Sequence, residues 1–183
     1  MSVVQVHPGR PFSLMREILK SIQNSLKNRN WYSALFLSLI LPDICAKLEG
    51  STERSTERYP KWFNKYLGKK YNGFLSGNDC YALRCSLLHE GSSNIERQQA
   101  KDILDRFVFV ANGPHCNMFS NCRFGDPKYD GKAFLQLSVY DFCRDMIGAT
   151  EEWLNDSRIQ KNISEMIEIH ENSFAIGNAP KIQ

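Results

Sequence analysis

The chain has 183 residues, of which 42% are hydrophobic and 23% are charged, with a formal net charge of +3. That length predicts one compact domain, and the composition excludes a chain too polar to build a buried core. The slight positive charge permits an anionic partner without requiring one.

The opening segment and the cysteines bear on where the protein works. Residues 1–12 hold no apolar run of the kind that a secretory signal needs, so we predict a cytoplasmic protein whose six cysteines are free thiols. The closest approach to a metal pattern is His115, Cys116 and Cys122, whose spacing fits no common zinc site. We therefore predict neither a metal nor another cofactor.

Two helices are predicted first along the chain. Apolar residues recur at helical spacing over residues 12–29, and Asn30 is placed to cap a second helix over residues 31–48. The second helix is apolar nearly all round, so we expect it at the centre of the fold, with Pro42 kinking or interrupting it. Its most hydrophobic run, residues 34–41, is too short to cross a bilayer, so no membrane association is predicted.

A basic and aromatic segment follows. The duplication "STERSTER" (51–58) is interpreted as a polar connector into a helix, "RYPKWFNKYLGKKY" (58–71). Its aromatic residues could stack on bases while lysines such as Lys65 and Lys69 contact phosphates. The commoner interpretation of such a pattern is a helix that buries its aromatics and solvates its lysines.

The next helix is predicted over residues 77–90. Ser76 is its expected N-cap with Asp79 as the reciprocal partner, and Gly91 ends it. Arg84 lies in the middle of its apolar stripe, with apolar residues within about 60° on either side. A buried unpaired guanidinium is costly, so it needs an internal carboxylate, with Asp43 as the candidate, or backbone carbonyls, a ligand anion or solvent at an interface.

His89 follows Arg84 on the same helix, about 140° round the axis and roughly 7.5 Å along it. A histidine exchanges protons near neutral pH, and a neighbouring arginine can hold a phosphate. One straight helix points the two side chains apart, whereas a two-fold dimer packed on this helix could bring two such pairs into one cleft. The alternative to a catalytic pair is a surface histidine and an arginine with a structural role.

The rest of the chain changes character. Residues 94–106 are predicted to be helical, and residues 107–112 and 133–140 are rich in β-branched and aromatic side chains. We expect these two strands to form a β-hairpin with a long loop, followed by helices over residues 140–154 and 157–170. The predicted architecture is a single, mainly α domain with a helical core (12–106), a β-hairpin (107–140) and C-terminal helices (141–170).

One stretch resembles a known family. In "SGNDCYALRCSLLHEG" (76–91), the arginine and the histidine near the helix end resemble the R-x4-H signature of the HEPN superfamily (higher eukaryotes and prokaryotes nucleotide-binding domains). With the upstream "LPDICAKLE" (41–49), the stretch is similar to a group of uncharacterised bacterial proteins in or near that superfamily. The likeness covers roughly residues 12–106 and implies a HEPN-like helical bundle.

The resemblance also implies a chemistry. Many members are metal-independent endoribonucleases that act as dimers, with the signature in the cleft. Carried over, Arg84 would hold the scissile phosphate, and His89 would be the general base or acid for attack by the ribose 2′-hydroxyl, leaving a 2′,3′-cyclic phosphate. The position after the arginine, commonly polar in active members, is here Cys85, whose thiol would bind substrate only weakly.

Two hypotheses about function remain open. The first is a HEPN-type endoribonuclease of toxin or anti-phage defence systems, a homodimer that binds RNA and has an antitoxin or a nucleotidyltransferase as a candidate partner. The second is a non-catalytic HEPN-like module that binds a nucleotide, another ligand or a protein partner. In that case Arg84 and His89 are structural or hold the ligand.

Overall fold

A computed structural model describes residues 11–120 and 130–156. Within these ranges the chain is mainly helical, as the sequence predicts, and it also contains a small three-stranded sheet. The predicted helix over residues 157–170 and Cys122 lie outside the described residues. The helices are α1 (Pro11–Lys27), α2 (Trp31–Leu48), α3 (Ser55–Tyr66), α4 (Gly77–Glu90) and α5 (Val139–Asn155), and the strands are β1 (Arg106–Val110), β2 (Asn117–Phe119) and β3 (Phe134–Ser138).

Helix α2 lies at the centre of the fold. It packs against α1, α3, α4 and α5, which explains why its sequence is apolar on nearly every side. The Asn30 side chain caps it by accepting from the backbone N–H of Ser33 at 3.4 Å, and the helix continues through Pro42 to Leu48. By length and composition α2 could also span a membrane, but central helices of folded domains share these features, and half of its residues are buried within the protein.

Helix α3 begins earlier than predicted, because the second copy of the "STER" duplication forms its first turn from Ser55. The following helix, α4, approaches α3 closely at Gly77. A Cβ at that position would lie 2.5 Å from the backbone oxygen of Pro60, so only glycine fits there. The contact fixes the start of α4, and Gly91 ends the helix in the left-handed conformation (φ 63°), as predicted.

Residues 94–105 contain no helix, contrary to the prediction, because other partners take their backbone hydrogen bonds. The Ile95 N–H donates to the Asp105 backbone oxygen at 2.9 Å, and a buried carboxylate from α4 binds the end of the segment. Asp79 is 2% exposed and accepts from the backbone N–H groups of Asp102 (2.8 Å), Ile103 (3.4 Å) and Leu104 (3.3 Å). The Ser76 cap is present, with its Oγ accepting from the Asp79 N–H at 3.0 Å. Burial raises the pKa of the Asp79 carboxyl, and the hydrogen bonds that it accepts oppose that rise.

The predicted β-hairpin is wrong. Strands β1 and β3 are neighbours, but they run parallel, with Phe107 opposite Leu135, and β2 pairs antiparallel on the far side of β3. Parallel strands need a crossover rather than a tight turn, and the chain between β1 and β3 supplies it. Strand β3 then continues directly into α5, and Ser138 caps that helix by accepting from the N–H of Asp141.

A chain of hydrogen bonds joins this sheet to α5 through His115. The backbone N–H of Ser138 donates to His115 Nδ1 at 3.2 Å, so the neutral ring carries its proton on Nε2. Nε2 lies 3.1 Å from the hydroxyl of Tyr71, which donates to Asp145 at 2.8 Å, and Lys70 pairs with the same carboxylate. Burial and the Asp145 charge raise the pKa of Tyr71, which therefore stays a donor.

This arrangement predicts a pH dependence of stability. Burial lowers the pKa of His115, and the charge of Lys70 adds to that effect, against the opposing attraction of Asp145 and Asp141. Protonating the ring also requires a proton on Nδ1, where Ser138 donates. The unfolded chain therefore binds this proton more readily, so His115 stabilises the fold fully above about pH 6.5, and this contribution is lost as the pH falls from there through the folded-state pKa.

The measurement is the free energy of unfolding between pH 5 and 8, compared with His115→Asn. The asparagine Oδ1 can replace Nδ1 as the acceptor but does not titrate. We expect the wild-type protein to lose more stability below about pH 6.5 than the variant does. Parallel curves for the two proteins would contradict the prediction.

Candidate functional site

Two arginines meet one carboxylate where α2, α3 and α4 pack together. Asp43 Oδ2 lies 3.5 Å from Arg84 Nη2, and Asp43 Oδ1 accepts from Arg58 Nε at 2.7 Å. Asp43 Oδ2 also accepts from the hydroxyl of Ser55 at 2.5 Å, and Arg58 Nη1 donates to the backbone oxygen of Glu53 at 2.9 Å. Arg84 thus lies beside the carboxylate that the sequence analysis named as its internal partner.

Asp43 does not use all the hydrogen-bonding capacity of Arg84. The buried Nε has no hydrogen-bond partner in the described part of the chain, and Nη1 reaches only the Cys85 thiol, at 3.9 Å. The side chain as a whole is 21% exposed, while Nε itself is buried. A phosphate at the exposed part of the group would add hydrogen bonds to its terminal amino groups and leave Nε unpaired.

Two buried groups lie under the cluster. The hydroxyl of Tyr59 is 3.4 Å from the thiol of Cys80, and both residues are fully buried. Burial raises the pKa of Tyr59 well above its usual value, although the Arg84 charge opposes this, and burial also raises the pKa of Cys80 to about 12. Both groups are therefore neutral near pH 7, so they are poor candidates for a base or a nucleophile.

His89 lies in the last turn of α4 and is exposed. Arg84, by contrast, points towards Asp43 on α2, so within one chain the two signature residues face different surroundings. Nothing holds the imidazole in a fixed position, because no hydrogen bond or ion pair joins it to another described residue. No described contact joins the two side chains, so within one protomer nothing holds both of them towards a single phosphate.

The surface between the two residues is a partly exposed strip. On the helical wheel, Leu88, Tyr81 and Cys85 lie at about 40°, 60° and 100°, between Arg84 at 0° and His89 at about 140°. All three side chains are half-buried. Helix α2, which packs against α4, carries further half-buried apolar residues within about 120° of Asp43 on its helical wheel, namely Phe36, Leu37, Ile40 and Ile44. We call these four residues, together with Leu88, Tyr81 and Cys85, the α2/α4 strip.

The lysine-rich helix agrees with the commoner of its two interpretations. Trp62 and Phe63 are buried in the core and offer no surface to a base, and Tyr66 is half-buried. Lys65 is 3.4 Å from a Glu49 carboxylate oxygen and lies over the Tyr66 ring. Lys69 is exposed beyond the end of α3. The lysines therefore remain available to a polyanion, whereas the two buried aromatics do not.

Sequence reasoning missed Arg58, the second arginine of the cluster. Arg58 is the last residue of the predicted polar connector and the first of the predicted helix, where one arginine looks like any other charge. A usable signal existed in the spacing, because Ser55, Arg58 and Tyr59 recur at helical intervals at the start of a predicted helix.

No family model, curated protein or solved structure matches the chain.

Proposed function

We propose that the protein is a HEPN-like helical bundle that acts in the cytoplasm as a metal-independent endoribonuclease, in a toxin or anti-phage defence role. The observation that carries the proposal is the partly exposed strip between Arg84 and His89, beside an arginine whose hydrogen bonding is incomplete. A second copy packed on this strip about a two-fold axis would bring two arginines and two histidines into one cleft.

The reaction follows from those groups. His89 of one subunit takes the proton of a ribose 2′-hydroxyl, and the 2′-oxygen attacks the adjacent phosphorus. The guanidinium of Arg84 stabilises the charge that develops on the phosphoryl oxygens. The bond from phosphorus to the 5′-oxygen breaks, and that oxygen takes a proton from the imidazolium of His89 of the partner subunit. The products are a 2′,3′-cyclic phosphate and a 5′-hydroxyl.

The test is cleavage of single-stranded RNA by purified protein in the presence of EDTA. We expect cleavage to continue, the upstream products to end in 2′,3′-cyclic phosphate, and a substrate with 2′-deoxyribose at the cleavage position to resist. Loss of cleavage on adding EDTA, with recovery on adding a divalent cation, would contradict the proposal. An uncut RNA would count against it equally.

Dimerisation is a separate prediction. The α2/α4 strip is apolar enough to be an interface core, so sedimentation at micromolar concentration should give twice the mass of the chain. Leu88→Glu places a charge in the middle of the strip and should yield a monomer. Ile103→Glu, at an apolar side chain that is 68% exposed elsewhere, should leave the mass unchanged. A wild-type monomer would remove the shared cleft from the proposal.

A second candidate function rests on the Asp43 contact. Because that carboxylate already neutralises part of the Arg84 charge, the arginine also serves the packing of α2 against α4. This favours a non-catalytic HEPN-like module that binds a nucleotide, another ligand or a protein partner such as an antitoxin or a nucleotidyltransferase. The thiol of Cys85, a weak hydrogen-bonding group, points the same way.

A further inference from the structure

The cluster around Asp43 holds more positive than negative charge. Two guanidiniums share one carboxylate, and their side chains are only 21% exposed, against 14% for Asp43. The neighbouring carboxylates are already matched, Glu53 by Lys61 and Glu49 by Lys65. Charges that are largely removed from solvent are screened less than surface charges, so the excess positive charge favours an anion at this place.

Arg58 has a donor group left for that anion. Its Nε donates to Asp43 and its Nη1 to the Glu53 backbone, which holds the guanidinium plane in place. Within the residues that the structure describes, Nη2 makes no hydrogen bond. A guanidinium held on one edge with a free donor group on the other is well prepared to bind a phosphate.

Two lysines on the helix that carries Arg58 form exposed ion pairs, Lys61 with Glu53 and Lys65 with Glu49, which a phosphate can replace. On the α3 wheel, Lys61 and Lys65 lie about 60° and 20° from Arg58, so the three share one face. From Arg58 to Lys65 this face runs roughly 10 Å along the axis. That length suits successive phosphates of an extended strand, which a row of basic side chains can follow.

We infer that Arg58 is a second phosphate-binding residue, which holds the phosphate next to the one at Arg84, and that Asp43 is an internal anion competing with the bound strand. The ligand is single-stranded nucleic acid, bound through its backbone along α3. This inference rests on the proposed function, since it names further contacts of the same site. It does not depend on catalysis, because binding needs neither His89 nor a 2′-hydroxyl.

The experiment measures binding of a fluorescent single-stranded DNA oligonucleotide, which the proposed reaction cannot cleave. Arg58→Ala should raise the dissociation constant about tenfold, as expected for the loss of a charge-assisted contact. Asp43→Asn removes the competing charge at nearly constant shape and should lower the dissociation constant about threefold or more. Arg16→Ala, which removes an exposed arginine on α1, is the matched control and should change binding little.

The Asp43 variant separates a binding site from a scaffold. If the cluster only holds the helices together, Asp43→Asn lowers the melting temperature and leaves binding unchanged or weaker, which overturns the inference. Equal effects of Arg58→Ala and Arg16→Ala overturn it as well. Should Arg58→Ala fail to fold, the Asp43 result decides alone. Intact DNA binding by a protein that cuts no RNA counts against the proposed function only.

Discussion

Replacing His89 by alanine is expected to lower the rate of RNA cleavage by about 10²–10⁴-fold, the usual cost of losing a proton-transfer group. The fold should not change, because the side chain is exposed and lies at the end of α4. Cleavage is measured by single-turnover kinetics with EDTA present, together with the melting temperature. Glu90→Ala, at the exposed neighbouring position, is the control and should cleave at nearly the wild-type rate.

Arg84→Lys completes this test. A lysine keeps the positive charge but loses the planar donor fork, so cleavage should be severely impaired while the contact with Asp43 is largely kept. The non-catalytic function predicts a different pattern. In that case Arg84→Ala unfolds the protein, since it leaves Asp43 with one fewer cation, and His89→Ala behaves as the wild-type protein in every assay.

Asp79→Ala is expected to lower the free energy of unfolding by about 2 kcal/mol, the largest stability effect that we predict. The change leaves three backbone N–H groups at residues 102–104 without their acceptor. The buried Leu104 N–H bears most of the cost, about 1–3 kcal/mol, because Asp102 and Ile103 are exposed residues whose N–H groups can bond to water. Asp79→Asn keeps one carbonyl oxygen and should lose less. Urea denaturation measures all these values.

Asp141 supplies a matched control, because it has the same helix position in α5 as Asp79 has in α4. Each follows its N-cap serine by three residues, and each donates its N–H to that serine. The Asp141 carboxylate, however, accepts no hydrogen bond from another described residue. Asp141→Ala should therefore cost only a few tenths of a kcal/mol to about 1 kcal/mol, from the helix dipole. Similar losses at both positions would contradict the special role of Asp79.

The helices could be predicted where capping residues in the sequence mark the ends of the helix. Helix α2 begins after a capping asparagine, and α4 lies between a capping serine and a glycine, so propensity, periodicity and caps agree. Residues 94–105 look equally helical by composition, yet they fold as loops. Part of the difference arises from Asp79, more than twenty residues before Asp102, Ile103 and Leu104, whose N–H groups its carboxylate binds. The bond from the Ile95 N–H to the Asp105 oxygen holds the other end of the segment, and no local pattern reveals such competition.

The sheet and the site were predictable only in part, for related reasons. Alternating and β-branched residues mark β1 and β3 as strands but do not say whether they pair parallel, and β2 has three residues, too few for a pattern. Asp43 and Arg84 could be named because a buried arginine demands an anion. The spacing could place Arg58 on a helix but could not name its partner, because an arginine in the first turn of a helix can be solvated and needs no anion until the fold places it beside Asp43.

The position of α5 has a consequence for synthesis of the chain. Helix α5 packs on α2, and Trp153 donates to Glu49 at the end of α2 at 2.9 Å, yet α5 begins roughly 90 residues later. At typical translation speeds of about 5–20 residues per second, the face of α2 that packs against α5 stays exposed for about 5 to 20 seconds until α5 has been synthesised. During that interval the first four helices of the nascent chain expose apolar surface near the ribosome exit, where chaperones can bind it. The native fold therefore forms only after α5 has emerged, and a ribosome stalled before Val139 holds a chain that is prone to aggregate.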